Sequence, residues 1–306
     1  FQEIRDIPTE AIQRVDILPE EVALKFGYRA DQRVVNFVLR RRFRAATVEA
    51  DTRIATDGGR TQPEGELDLL RIRGADRANL HLEYTRADAL TEADRDVRQA
   101  PTSDGTVPDG RFRTLLPRTS TLSANGTYAT NVFGNTALSI NATADHNRTE
   151  GLRGLAVGLP DPLTQNAKST DLHLGTTLNG DAGRWRWTVT GSADHDNSDT
   201  VTQVGLDPAG AVLPDNTGSS RITNFALDSL ASGPFLALPA GDANASIRIG
   251  ASTSDFTSRS TRNGVVRPGD VSRDIASTQL NVDLPIARRD VALSGLGNLS
   301  LNGNEI

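Results

Sequence analysis

From Thr47 onward the chain alternates apolar and polar residues with a period of two, the spacing at which a β-strand turns successive side chains to opposite faces. In "TVEADTRIAT", Val48, Ala50, Thr52 and Ile54 share one face, and Glu49, Asp51 and Arg53 share the other. "NLHLEYT" sets Leu80, Leu82 and Tyr84 against Asn79, His81 and Glu83. "ALSINATAD" sets Leu138, Ile140, Ala142 and Ala144 against Ser139, Asn141, Thr143 and Asp145. In "RWRWTVTGSAD", Trp185, Trp187, Val189, Gly191 and Ala193 oppose Arg184, Arg186, Thr188, Thr190 and Ser192, with Asp194 next in the polar series. "DLHLGTTLN", "NASIRIGAST" and "STQLNVDLPIARRDVALSG" continue the pattern, whereas "RITNFALDSL" is less regular and reads as a strand with a bulge. The count is about eleven strands.

Residues 1–43 have a different texture. In "PTEAIQRVDILPEEVALKFGY", Ala11, Ile12 and Val15 fall at helical spacing, with Thr9 as N-cap after Pro8, while "RVDIL" and "VVNFVLR" read as short strands. This predicts a small α+β piece ahead of the strand-rich remainder, 44–306.

The connections alternate in length. Short polar turns fall at 74–77, 131–135, 180–183 and 287–290, and a longer link at 231–242 contains two prolines. Between them lie Gly-, Pro-, Asp- and Ser-rich stretches at 57–65, 86–119, 147–169, 195–220 and 256–275. A soluble sandwich has no reason to lengthen every second hairpin, but an outer-membrane barrel does, with tight turns on one side of the bilayer and long loops on the other. In hydrocarbon every backbone N–H and C=O must pair within the protein, so such strands require a closed ring. Bacterial single-chain barrels have even strand numbers. An odd count, no signal peptide and a stop just after a strand pattern lead to the expectation that the chain is a fragment.

Composition narrows the field further. Among 306 residues, 37% are hydrophobic, and no run reaches the ~18 apolar residues of a membrane-spanning helix, which excludes such a helix and says nothing against membrane-spanning strands. The absence of Cys removes disulfides, Cys zinc sites and thiol catalysis. A net charge of -6, with no basic face beyond "LRRRFR" at residues 39–44, gives no nucleic-acid partner. That run is open to two readings, a phosphate patch or a junction touching lipid headgroups. Aromatics are sparse at 5%, yet Tyr84 and Phe256 fall beside long connections and Tyr128, Phe133, Trp185 and Trp187 beside short ones, where rings settle at a membrane interface; ordinary core packing is the alternative.

The segment "IPTEAIQRVDILPEEVALKFGYRADQRVVNFVLRRRF", residues 7–43, resembles the C-terminal half of the plug domain of TonB-dependent outer-membrane receptors. Ile12, Arg14, Val15, Asp16, Ile17 and Leu18 fall on the family's first plug element. Phe26 and Gly27 fall on its Tyr-Gly, Ala30 on a small residue, and Val34, Val35, Asn36 and Phe37 on its final strand. Pro19, Glu20 and Glu21 replace the usual Arg-Gly-Pro, and Gln32 and Arg33 replace Gly-Gly, so the plug-to-wall contact of the family's Arg is not carried over. "SGPFLALPAGDANASIRIGAS", residues 232–252, is similar to the family's periplasmic turn leading into a barrel strand. The resemblance implies a divergent branch: plug residues 1–43, barrel residues 44–306, an outer-membrane location in a Gram-negative cell, uptake of a scarce small-molecule solute such as an iron-siderophore complex, a sugar or cobalamin, and energy from the TonB complex through a segment outside this chain.

No catalytic constellation stands out, and no enzyme, cofactor or metal site is expected. His81, His146, His173 and His195 are scattered; "ADHN" and "ADHD" fit either metal ligation or polar strand edges. "DGGRTQPEGE" lacks phosphate-loop spacing. Glu49, Asp51, Arg53, Arg71, Arg73, Glu83, Arg186 and Asp194 are expected to point into a wet lumen, since Arg or Lys facing lipid at midplane costs about 2–4 kcal/mol. Two other functions compete with active uptake. One is a passive porin or structural surface barrel; the other is a soluble secreted β-rich adhesin or carbohydrate-binding protein.

Overall fold

The structure is a computed structural model that describes residues 11–18, 34–97, 99–101, 107–156, 158–207, 209–239, 241–285 and 298–305. Thr9, Gly27, the 19–21 and 32–33 departures from the plug pattern, and the 287–290 turn lie outside the described residues.

The chain is mainly β. Strands β1 (Ile12–Leu18) and β2 (Val34–Leu39) form a two-stranded antiparallel sheet. The segment predicted to be helical from Ala11, Ile12 and Val15 is therefore extended. Val15 and Ile17 alternate with Arg14 and Asp16, and Arg14 Nε donates to Asp16 at 3.0 Å, a pairing of residues two apart that a strand puts on one face and a helix does not.

The large sheet begins at Arg42. It comprises β3 (Arg42–Ile54), β4 (Thr61–Arg73), β5 (Asp76–Ala87), β8 (Arg118–Val132), β9 (Thr136–Leu155), β10 (Pro162–Ala182), β11 (Trp185–Thr202), β12 (Asn216–Leu238), β13 (Gly241–Arg262), β14 (Val265–Pro285) and β15 (Asn298–Glu305). Among the described residues these eleven strands pair strictly in chain order, each antiparallel to the next. Between β5 and β8, the two short strands β6 (Leu90–Thr91) and β7 (Thr114–Leu116) pair with each other.

At one end of the sheet β4 hands over to β5, β8 to β9, β10 to β11 and β12 to β13 within two or three residues; the 231–242 stretch, expected to be a longer link, is mostly strand. Gly74 and Gly183 supply positive φ at two of these turns. The other end carries the 88–117 and 203–215 loops. The stretches at 147–169, 195–220 and 256–275, expected to be mostly loop, are largely strand: β13 and β14 meet at a turn where Asn263 and Gly264 both have positive φ. The bulge also differs from expectation. "RITNFALDSL" pairs with β11 in unbroken register, and the irregularity falls at Pro234/Leu236, where proline cannot donate to a ladder.

Because directly paired residues share a face, the register divides the side chains into two sets. One face carries Leu69, Leu80, Leu174, Phe225, Leu227 and Ile249, all exposed and covered by no second sheet among the described residues. The other is polar along most of its length. Near the tight-turn end it turns apolar, where Leu70 and Ile72, with Phe43, pack against Ala11 and Leu39 and so seat the β1–β2 piece on this face. Ala11 is completely buried, and its carbonyl accepts from Arg40 N at 2.9 Å.

Candidate functional site

A single polar row crosses ten strands on the face that receives β1–β2. It runs Thr47, Asp68, His81, Asn125 and Thr143 over β3 to β9. It continues as His173, Asp194, Asn224, Ser254 and Arg273 to β14. Two imidazoles are tied into the row: His81 Nδ1 lies 2.7 Å from Asp68 and His173 Nδ1 2.6 Å from Asp194. Glu66, Asp68 and His81 bring their ligating atoms within 4.8 Å of one another, a mixed carboxylate–imidazole group that neither strand discloses alone.

Most residues expected to line a lumen fall on this face. Glu49, Glu66 and Glu83 stand in one row of direct neighbours. Asp51 lies opposite Glu64, and Arg53 reaches Glu64 at 3.3 Å, so the acidic cluster is only partly compensated. Arg186 lies opposite Asp181 at 3.8 Å, and Asp194 belongs to the long row. Arg71 and Arg73, expected on the same face as the others, fall on the opposite one. They continue the Leu67–Leu69 face of β4, while Leu70 and Ile72 occupy the face that receives β1–β2. The alternation is unbroken, but the chemistry swaps sides: near the tight turns the face that receives β1–β2 is apolar and packs, and on the opposite face both arginines line one small cavity with Tyr128 and Asp76.

Of the plug-motif residues, Ile12, Arg14, Val15, Asp16 and Ile17 lie on β1. On β2, Val34 pairs with Leu18, Val35 with Ile17 and Asn36 with Asp16.

Aromatic rings cluster at the tight-turn end. Trp187 lies over Gly180 and Trp185 over Gly233, each so close that a Cβ on the glycine would collide with the ring. Phe133, at positive φ in its turn, is 94% exposed. Tyr84 sits toward the opposite end on the apolar face. Phe256, expected beside a long connection, instead lies inside β13 opposite Ile222 and Val271. A groove of about 960 Å³ runs over the apolar face between Ile140, Leu174, Phe225 and Leu227.

At the long-loop end, the 88–117 segment is fastened to the sheet on two sides. Asp88 N donates to Thr61 O at 2.9 Å, and Arg95 donates to Gly58 O at 3.1 Å. On the other side Thr114 Oγ1 donates to Leu152 O at 3.2 Å and accepts from Leu152 N at 3.1 Å, while Arg113 bridges to Arg153. Gly151 permits this approach, since a Cβ there would stand 3.3 Å from the Thr114 hydroxyl. Within the loop, Asp94 accepts from Thr91 N and Thr91 Oγ1, both at 2.7 Å, which holds its carboxyl below the usual range. Asp109 is held low likewise by the Arg111 guanidinium and backbone N–H. Sequence reading passed over Glu92, Arg113 and Arg153; the legible trace was "TEAD", the Thr-x-x-Asp spacing of a capping turn.

No protein-family model and no curated protein matches the chain. Among solved structures it is similar to the ferric yersiniabactin uptake receptor FyuA from Yersinia pestis, at 12% identity over 79% of this chain and 39% of that one, TM-score 0.44. It is also similar to the ferric-catecholate import receptor Fiu from E. coli K12, at 10% identity over 90% of this chain and 57% of that one, TM-score 0.35. The chain thus spans less than two thirds of either receptor.

Proposed function

We propose that this chain forms part of an outer-membrane active transporter of the TonB-dependent type, with the β1–β2 piece belonging to its plug and the large sheet to its barrel wall. The observation that carries this reading is the two-faced sheet. Its exposed apolar face suits hydrocarbon, its continuous polar row suits a water-filled lumen, and the β1–β2 piece rests on the polar side. A soluble adhesin would leave rows of exposed Leu, Phe and Ile without a hydrophobic partner, at about 25 cal/mol per Å² of apolar surface left in water. In the proposed mechanism a scarce small solute binds at the long-loop end, outside the cell, and the TonB complex pulls on the plug to open a path along the wall. The protein performs no covalent chemistry and needs no cofactor; its partners are the solute, the bilayer and the energy-transducing complex.

The test is uptake in cells carrying the gene, with and without a proton-motive force. Active transport gives accumulation that stops when the gradient is collapsed. Entry that persists unchanged without the gradient would assign a passive porin instead.

A further inference from the structure

The first two strands of the large sheet bring together arginines from two stretches of the chain. The register sets Arg42 directly opposite Arg73 and Arg44 directly opposite Arg71, so four guanidinium side chains leave one face as a two-by-two block. Gly74 N donates to Arg41 O at 2.8 Å and ties the start of β3 to the tight turn. Phe43 and Ile72, which lie between the arginines, pack with Leu70 and Ala11 on the opposite face and so fix the side from which the block emerges. All four arginines are exposed, and none forms an ion pair among the described residues. The carboxylate beside them, Asp76, stands opposite Arg73 and accepts from Thr130 Oγ1 at 2.5 Å. One acid against four cations leaves the block short of anions, and like charges directly opposite across a ladder repel.

Position says which anion fits. The face of the block continues as Leu67 and Leu69, paired with Leu82 and Leu80, so the charge adjoins the exposed apolar side of the sheet. Arg73 is next to its turn and Arg71 is two residues further in; on β11 the corresponding places are held by Trp185 and Trp187, whose partners Ala182 and Gly180 share a face with Leu174. Such rings mark the border between hydrocarbon and headgroups, where the cost of an outward-facing arginine falls away. The aliphatic stem of an arginine lies along apolar surface while its head reaches the headgroups. Arg71 and Arg73 line, with Asp76, Ala78 and Tyr128, a cavity of about 190 Å³. That is less than the roughly 300–1,000 Å³ of sites that enclose a whole small molecule, and suits one headgroup.

We propose that this block binds an anionic phospholipid of the leaflet at the tight-turn end, its phosphate accepting from the arginines and its acyl chains lying along Leu67 and Leu69. The inference rests on the barrel-wall part of the uptake reading. Guanidinium forks match phosphate oxygens. An acidic protein surface or a free anion would meet the charge and leave the leucine rows bare, and a choline lipid would bring its own cation against the block.

The test is native mass spectrometry of the detergent-purified protein with phosphatidylglycerol, with phosphatidylcholine of the same acyl chains, and with glycerol phosphate, which carries the anion without chains. Phosphatidylglycerol is expected to bind roughly tenfold more tightly than either. Arg71→Gln/Arg73→Gln and Arg42→Gln/Arg44→Gln should each erase most of that preference. Arg262→Gln/Arg267→Gln, an equal loss of charge on exposed residues of β13 and β14 near the opposite end, should keep it. Urea titration checks that the variants are folded, and if one pair is not, the other carries the test. Equal affinity for the two lipids would overturn the proposal and leave the block to an acidic protein surface. Glycerol phosphate binding as tightly as the lipid would make it a free-anion site, and a preference lost equally in all three variants would assign it to net charge; either result overturns the lipid site. Uptake is scored separately: an arginine-dependent lipid preference without energised uptake of any solute removes the transporter reading and leaves the site standing, whereas energised uptake without the preference removes the site alone.

Discussion

Leu174 and Thr143 are neighbours across β9 and β10 that face opposite ways, Leu174 half-exposed on the apolar face and Thr143 in the polar row. If the apolar face meets lipid, Leu174→Lys should lower stability in vesicles by about 2–4 kcal/mol, and Thr143→Lys should cost far less. Urea titration of vesicle-inserted protein measures the difference, and equal effects would mean that the faces are wrongly assigned. Packing gives a second test. The Trp187 ring stands 2.5 Å from where a Cβ on Gly180 would lie, so Gly180→Val should destabilise by about 1–3 kcal/mol, read in the same titration, with most of the loss recovered when Trp187→Ala is added. At this scale alternation and polarity agree at Glu49, Asp51, Arg53 and Glu83, which the register puts on the same face as the polar row. Arg71 and Arg73 share the face of Leu67 and Leu69 instead, because charge alone does not say which face of a strand a residue occupies.

The 88–117 loop is held by a few polar contacts, and its strength should follow their protonation. Asp94 is held below its ordinary range by the Thr91 N–H and hydroxyl. A depressed carboxyl contributes fully above its unfolded value of about 3.9 and loses that contribution as pH falls through the lower folded value. Hydrogen exchange at residues 91–95 is therefore expected to quicken below that window, and Asp94→Asn should abolish most of this pH dependence. Thr114→Val removes both hydrogen bonds to Leu152 and should raise protease sensitivity within the loop while leaving the strands intact. The elements themselves were legible from their period, but several run further than expected. In "HNRTEGLRGL" polar residues occupy both sides, and around 256–275 the apolar residues Phe256, Val265, Val266 and Val271 fall on both faces among Ser, Thr, Arg and Asp, so alternation of hydrophobicity is lost although the backbone ladder continues.

At the scale of the whole molecule, the β1–β2 piece meets the sheet through one small apolar contact, with Ala11 buried against Leu70 and Ile72. Ala11→Asp would bury an unpaired carboxylate there. If this piece belongs to a plug, the expected outcome is a leakier outer membrane, measured as increased entry of a large hydrophilic antibiotic, with unchanged recovery of the protein in the membrane fraction. Unchanged permeability would separate this contact from any gating role. The sequence by itself determined the strand period, the short turns at 74–77, 131–135 and 180–183 and the absence of thiol chemistry, because these depend on neighbours along the chain. Only the tertiary structure decided the polar row from Thr47 to Arg273, the face on which β1–β2 rests and the block of arginines where β3 meets β4. Each of these depends on register between strands, and a shift of one residue in any pair would send the same side chains to the opposite face.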